Sequence, residues 1–176
     1  PVTVPTQDMV LGSYYLTILR ENEKGAGRAF SSPNEALMAY EIGEIGIHAP
    51  IKVRVSREVD GVTRYKVVDA TVGRIIFNEP IPQDLGFVDR TNPETMFDYE
   101  VSFQTGKKEL EEIIRRAIAK HGFTRSAELL DNIKALGFKY STKGAITISI
   151  SDMTVPEEKP KLIHETEQKV LTIERQ

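Results

Sequence analysis

The sequence predicts an α+β fold: one or more small mixed sheets, a helical hairpin and a protruding C-terminal coiled-coil helix. Three observations predict it. Ile51, Val53 and Val55 alternate with Lys52 and Arg54, the period of a half-buried strand, and Asp60-Gly61 just beyond is a hairpin-turn signal. Leu110, Ile113, Ile114, Ala117 and Ile118 recur at the spacing of one helix face. Ile163, Thr166, Val170 and Ile173 recur at intervals of three and four, the narrower seam of a coiled coil.

Composition sets the bounds. A chain of 176 residues buries one ordinary core, or one core with an appendage. Hydrophobic residues make up 40% and charged residues 28%, the balance of a globular protein. No apolar run is long enough to cross a bilayer, and no secretory leader pattern is present. Cysteine is absent, which excludes disulfides and thiolate metal sites. A net charge of −3 and a pI near 5.7 lack the basic excess of a dedicated nucleic-acid binder. Position 1 is proline and the last helix stops in mid-pattern, so a stretch of a longer polypeptide is expected.

The elements follow in order. Thr6 is a good N-cap behind Pro5, and Asp8 suits the first turn of the helix that begins there. Met9, Val10, Leu11, Tyr14, Tyr15 and Leu16 cover most of its circumference, so it is expected to be packed on most sides. Gly12 at mid-helix implies that another backbone passes close. A polar loop spans Arg20 to Gly27. Ser32, Pro33 and Glu35 then form an N-cap, a first-turn proline and a capping box for a helix ending at Gly43. The strand at Ile51 to Val55 turns at Asp60-Gly61 and returns over Thr63 to Asp69. Thr71 to Phe77 reads as another β-rich run, Asn78 to Asn92 as loop, and Tyr99 to Phe103 as a short strand.

Gly106 opens a helix over Lys107 to Lys120, which His121-Gly122 ends. Thr124 caps the next, Arg125 to Leu136, which Gly137 ends; a short connection makes the pair a helical hairpin. Ile146, Ile148 and Ile150 alternate with Thr147, Ser149 and Ser151, which predicts a strand with one hydroxylated face, or else an ordered loop. Glu157 to Gln176 is the lone amphipathic helix.

The chemistry is sparse. His48, His121 and His164 have no ligand spacing, and surface or capping roles are expected of them. There is no Asp-x-Asp-x-Asp cluster for Mg²⁺, no phosphate-cradling glycine loop before a lysine and no nucleophile elbow. Lys107, Lys108, Arg115, Arg116, Lys120 and Arg125 are interleaved with Glu109, Glu111 and Glu112, the pattern of a solvated helix face.

The opening stretch Pro5-Thr6-Gln7-Asp8-Met9-Val10-Leu11-Gly12, followed by Tyr14-Tyr15-Leu16-Thr17, resembles a segment of the beta-prime subunit family of bacterial DNA-directed RNA polymerase. Phe30-Ser31-Ser32-Pro33 with Glu35-Ala36, His48-Ala49 with Ile51-Lys52-Val53-Arg54, and Thr71-Val72-Gly73-Arg74 are similar to the family's next segments, in the same order. Ile133-Lys134, Leu136-Gly137-Phe138, Tyr140, Asp152-Met153 and Val155-Pro156 complete the series. Many family members carry Ser-Gly at Gly144-Ala145 and Asp-Asp at Ser151-Asp152, so any role resting on that serine or first aspartate has no residue here.

The resemblance implies a place and a task. Residues 1–156 would be the pore, or secondary-channel, domain, and residues 157–176 the first arm of the rim coiled coil. The channel admits nucleoside triphosphates and receives the RNA 3′ end on backtracking. Gln7, Asp8, Arg74, Thr142, Lys143 and Asp152 would line it near the active centre, and Glu157, Lys161 and Glu165 would lie on the rim where Gre-type cleavage factors dock. The implied partners are the beta, alpha and omega subunits, template DNA and RNA, in the cytoplasm at the nucleoid. The implied Mg²⁺ belongs to a catalytic Asn-Ala-Asp-Phe-Asp-Gly-Asp loop that lies upstream in the family and is not in this chain; the chain alone would be inactive. Two other readings stand beside it: an interaction module binding through the Glu157 to Gln176 helix, and a small hydrolase using Asp8 or Asp152.

Overall fold

The chain opens with α1 (Gln7–Thr17) in a computed structural model of the protein, which describes residues 4–153. Thr6 caps it, its hydroxyl accepting from the Met9 N–H at 3.3 Å. Met9, Gly12, Ser13, Leu16 and Thr17 are buried, while Asp8 faces solvent in the first turn. Packing on most sides is thus borne out.

After a turn-rich loop, β1 (Ala29–Phe30) leads into α2 (Pro33–Glu41). The Ser32 hydroxyl accepts from the Glu35 N–H at 3.1 Å, as the cap requires; the Glu35 carboxylate accepts from the Ser31 hydroxyl. Gly43, at φ 81°, closes the helix. β2 (Ile51–Val59) and β3 (Val62–Ala70) form the predicted antiparallel hairpin, with Val59 opposite Val62 and Ile51 opposite Ala70. Asp60 and Gly61 both take positive φ, 53° and 78°, as a tight two-residue hairpin turn demands. β1 adds in parallel on the far side of β2, giving a three-stranded mixed sheet in the order β1-β2-β3.

Four expectations fail here. Thr71 to Phe77 is not a strand: Thr71 caps α3 (Val72–Asn78), its hydroxyl accepting from the Arg74 N–H at 3.1 Å. So short an apolar run does not separate strand from helix by its period: Val72, Gly73, Ile75 and Phe77 are buried and Arg74 and Ile76 half-buried. Tyr99 to Phe103 forms no strand; Val101 bonds to the Asn78 side chain instead. The third and fourth failures are in α4 (Lys107–Met153), which contains the predicted helix pair and continues past Gly137. Its break is at Gly122, φ 80° and ψ 166°, so helix resumes before Thr124 and the joint is one residue. Ile146 to Ile150 is helical, neither strand nor loop.

The core gathers Leu16, Ile51, Val53, Phe77 and Val101 with Leu110, Ile113, Ile114 and Ile133 of α4. The sheet, the helices and the long last helix make this the α+β fold the sequence predicts. The coiled-coil helix Glu157 to Gln176, with His164, lies outside the described residues.

Candidate functional site

The predicted site residues fall on three supports, and the backbone of α1 connects them. Gln7 and Asp8 open α1, both exposed. Thr142 and Lys143 are exposed on α4, beside Gly144. α1 and α4 meet with almost no side chain between them. A methyl placed on Gly12 would sit 2.7 Å from the Gly137 Cα, and one on Gly137 would sit 2.8 Å from the Asp8 carbonyl oxygen. One on Gly144 would overlap the Leu11 carbonyl. The backbone contact inferred from Gly12 is therefore real, and its partner is Gly137, the residue expected to end a helix. The crossing seats the Asp8 carbonyl against Gly137 and the Leu11 carbonyl against Gly144, the residue that follows Thr142 and Lys143.

Arg74 is elsewhere. It belongs to α3 and reaches the C-terminal end of α1, donating from Nε to the Thr17 carbonyl at 2.9 Å and from Nη1 to the Ser102 carbonyl at 3.2 Å. Burial pushes its pKa below the usual guanidinium value. At 1.5 Å per residue, Asp8 and Thr17 lie about 14 Å apart along the helix. Asp152 is in the last turn of α4. Glu157, Lys161 and Glu165 lie outside the described residues.

The last turn of α1 meets a cluster that sequence reading missed. His48 is 4% exposed rather than at the surface. Its Nε2 is 2.7 Å from the Tyr15 carbonyl oxygen, its Nδ1 is 3.7 Å from Glu23 Oε1, and its backbone N–H donates to Glu23 Oε2 at 2.5 Å. The Tyr15 ring meets the imidazole edge-on, centroids 4.6 Å apart, and stacks on Tyr140 of α4 at 5.8 Å. Burial lowers the His48 pKa, opposed by the Tyr15 carbonyl and by Glu23. Burial also raises Tyr15, Tyr40 and Tyr140 above the usual phenol value. Lys139 and Lys143 lie 5.5 and 5.8 Å from the Tyr140 ring. Glu23 sits in a loop with no periodicity and lies 25 residues from His48, so no local pattern connects them.

A second polar network closes the segment after α3. Asn78 is buried; its amide donates to the Arg74 and Val101 carbonyls, both at 2.8 Å, and its carbonyl accepts from the Val101 N–H at 3.0 Å. Glu100, 1% exposed, accepts from Arg90 Nη2 at 2.8 Å and from the Phe87 N–H at 2.6 Å. Among the described residues, no three carboxylate or imidazole side chains stand together as a metal site, and no helix is long and apolar enough to cross a membrane.

The sequence profile of the family described as RNA polymerase Rpb1, domain 3, matches residues 1–153. The DNA-directed RNA polymerase subunit beta' of Acetivibrio thermocellus is 64% identical over 176 residues, all of this chain and 15% of that subunit. That of Thermoanaerobacter pseudethanolicus is 57% identical over the same 176 residues, and that of Clostridium novyi 54% over 175. The chain thus spans 15% of the length of these relatives.

Proposed function

From a chain that belongs to the RNA polymerase Rpb1 domain 3 family, we propose a wall of the secondary channel of a bacterial RNA polymerase. Residues 1–156 form the pore domain in this reading, and residues 157–176 the first arm of the rim coiled coil. The observation that supports it is the bare-backbone crossing, which fixes α4 on α1 at Gly144, next to the exposed Thr142 and Lys143. A cation and a hydroxyl on a rigid support suit guidance of a triphosphate, because they attract phosphate without a deep well that would retain it. Arg74, by contrast, spends its donors on two carbonyls and acts here as a strut.

The whole subunit is then the enzyme, and its Mg²⁺ is held by carboxylates outside this chain; the described residues do not offer a matching set. The beta, alpha and omega subunits, template DNA and RNA are the partners, the cytoplasm at the nucleoid is the location, and Gre-type factors dock on Glu157, Lys161 and Glu165.

The test is kinetic. In the whole polymerase, Lys143→Ala is expected to raise KM for nucleoside triphosphates several-fold and to leave kcat close to wild type, whereas Asp8→Asn, which removes a negative charge, is expected not to raise KM. An unchanged KM in Lys143→Ala overturns the reading. The 176-residue chain alone is expected to incorporate no nucleotide.

A further inference from the structure

The last third of α4 is built inside out. Thr147 and Ser149 are 8% and 6% exposed, while Ile146 and Ile150 are 39% and 49% exposed. Hydroxyls face the packed side and isoleucines face outward, the reverse of an ordinary amphipathic helix. Ile146 and Ile150 continue a line of exposed residues at four-residue spacing that passes through Phe138, 85% exposed, and Thr142. The reason lies in the sequence. Ile146-Thr147-Ile148-Ser149-Ile150-Ser151 has a period of two, and a helix spreads a period-two pattern around its circumference. Only an extended backbone puts all three isoleucines on one face and the hydroxyls on the other. Four of the five residues from Ile146 to Ile150 are β-branched, which favours extended backbone over helix.

The anchor of this segment also bears on its conformation. Gly144 seats α4 on α1, against the Leu11 carbonyl, and the period-two stretch begins two residues beyond it. Helical hydrogen bonding passed on from the preceding turns holds the segment in helix.

We infer that residues 145–151 are a two-state element: a helical extension of α4 in the 176-residue chain, and an extended segment once the rest of the polymerase subunit supplies an apolar surface for Ile146, Ile148 and Ile150. The inference rests on the chain being one part of a larger subunit, and not on any channel residue. Its failure is therefore separable from that of the KM test. The bias comes from the differential contacts of the isoleucine face in the two states.

Spin labels at positions 134 and 151 read the change by electron–electron distance measurement. As helix throughout, the backbone span is about 26 Å. With residues 145–151 extended, it approaches about 36 Å. The 176-residue chain is expected to show the short distance and the whole polymerase, labelled at the same positions, the long one. The variant carrying Ile146→Ala, Ile148→Ala and Ile150→Ala is expected to shift the polymerase distribution back towards the short distance, because it removes the apolar face and raises helix propensity. The same distance in both samples, short or long, overturns the inference. So does an alanine variant whose distribution in the polymerase matches wild type.

Discussion

The α1–α4 crossing and the segment from Asn78 to Thr105 solve one problem by opposite means. Each ties together stretches of chain far apart in sequence. The crossing uses shape alone: Gly12, Gly137 and Gly144 let backbones touch, and no charge or side-chain hydrogen bond is needed where they do. The segment after α3 buries Ile81, Leu85 and Val101 and adds hydrogen bonds from buried polar side chains. Asn78 stands in for a strand partner of Val101, and the buried Glu100 draws Arg90 and the Phe87 N–H onto one carboxylate. Shape fails when an atom is added; a polar network fails when one is removed. Arg74 joins the two regions through Thr17 and Ser102, and the Thr17 hydroxyl accepts from the Thr105 N–H at 2.7 Å.

That contrast is sharpest at Glu100. Replacing it by leucine leaves the Arg90 guanidinium, 22% exposed, without its carboxylate and the Phe87 N–H without an acceptor. Glu100→Leu is expected to cost about 3–5 kcal/mol, the range for breaking a buried pair on one side only, measured by urea unfolding of the chain. A loss under about 1 kcal/mol would mean that the network contributes little. The matching strike on shape is Gly73→Ala. The added methyl would overlap the Leu16 carbonyl at the end of α1, where backbone cannot swing aside. A cost of about 1–3 kcal/mol is expected in the same assay, with far-ultraviolet dichroism retained. If Gly73→Ala proves the more damaging of the two, the ranking of polar network over shape is reversed.

The smallest effect is a pH dependence at His48, beside the last turn of α1. The His48 pKa is lowered in the fold from 6.5, so the unfolded chain takes up the proton first as pH falls. Stability from this group is complete above pH 6.5 and is lost as pH falls from there through the folded-state pKa. Unfolding midpoints at pH 7.5 and at lower pH are expected to diverge more for wild type than for His48→Asn. Equal divergence would show that other groups carry the whole acid response.

Much of the fold was legible because its causes are local. The Thr6 and Ser32 caps, the Asp60-Gly61 turn and the hairpin it joins are each decided within a few residues, and each stands as read. At the candidate site, Gly12 announced a close backbone, but nothing in the sequence named Gly137 as the partner. The pairings of His48 with Glu23 and of Asn78 with Val101 span 25 and 23 residues, and no spacing rule reaches across them.

The sequence by itself determined the caps, the turn, the β-hairpin and the family, because short-range sterics and a long run of identities suffice for these. Tertiary structure decided that Thr71 to Phe77 is helix, since so short an apolar run reads equally as strand or helix and only its Thr71 cap and its contact with Leu16 distinguish the two forms. It also decided that α4 runs on through Gly137 and Gly144. There the absence of a side chain serves close approach to α1 rather than a helix end. In the period-two stretch Ile146 to Ile150 the two levels still disagree: helical hydrogen bonding carried over from the preceding turns outweighs the burial that the alternation would favour.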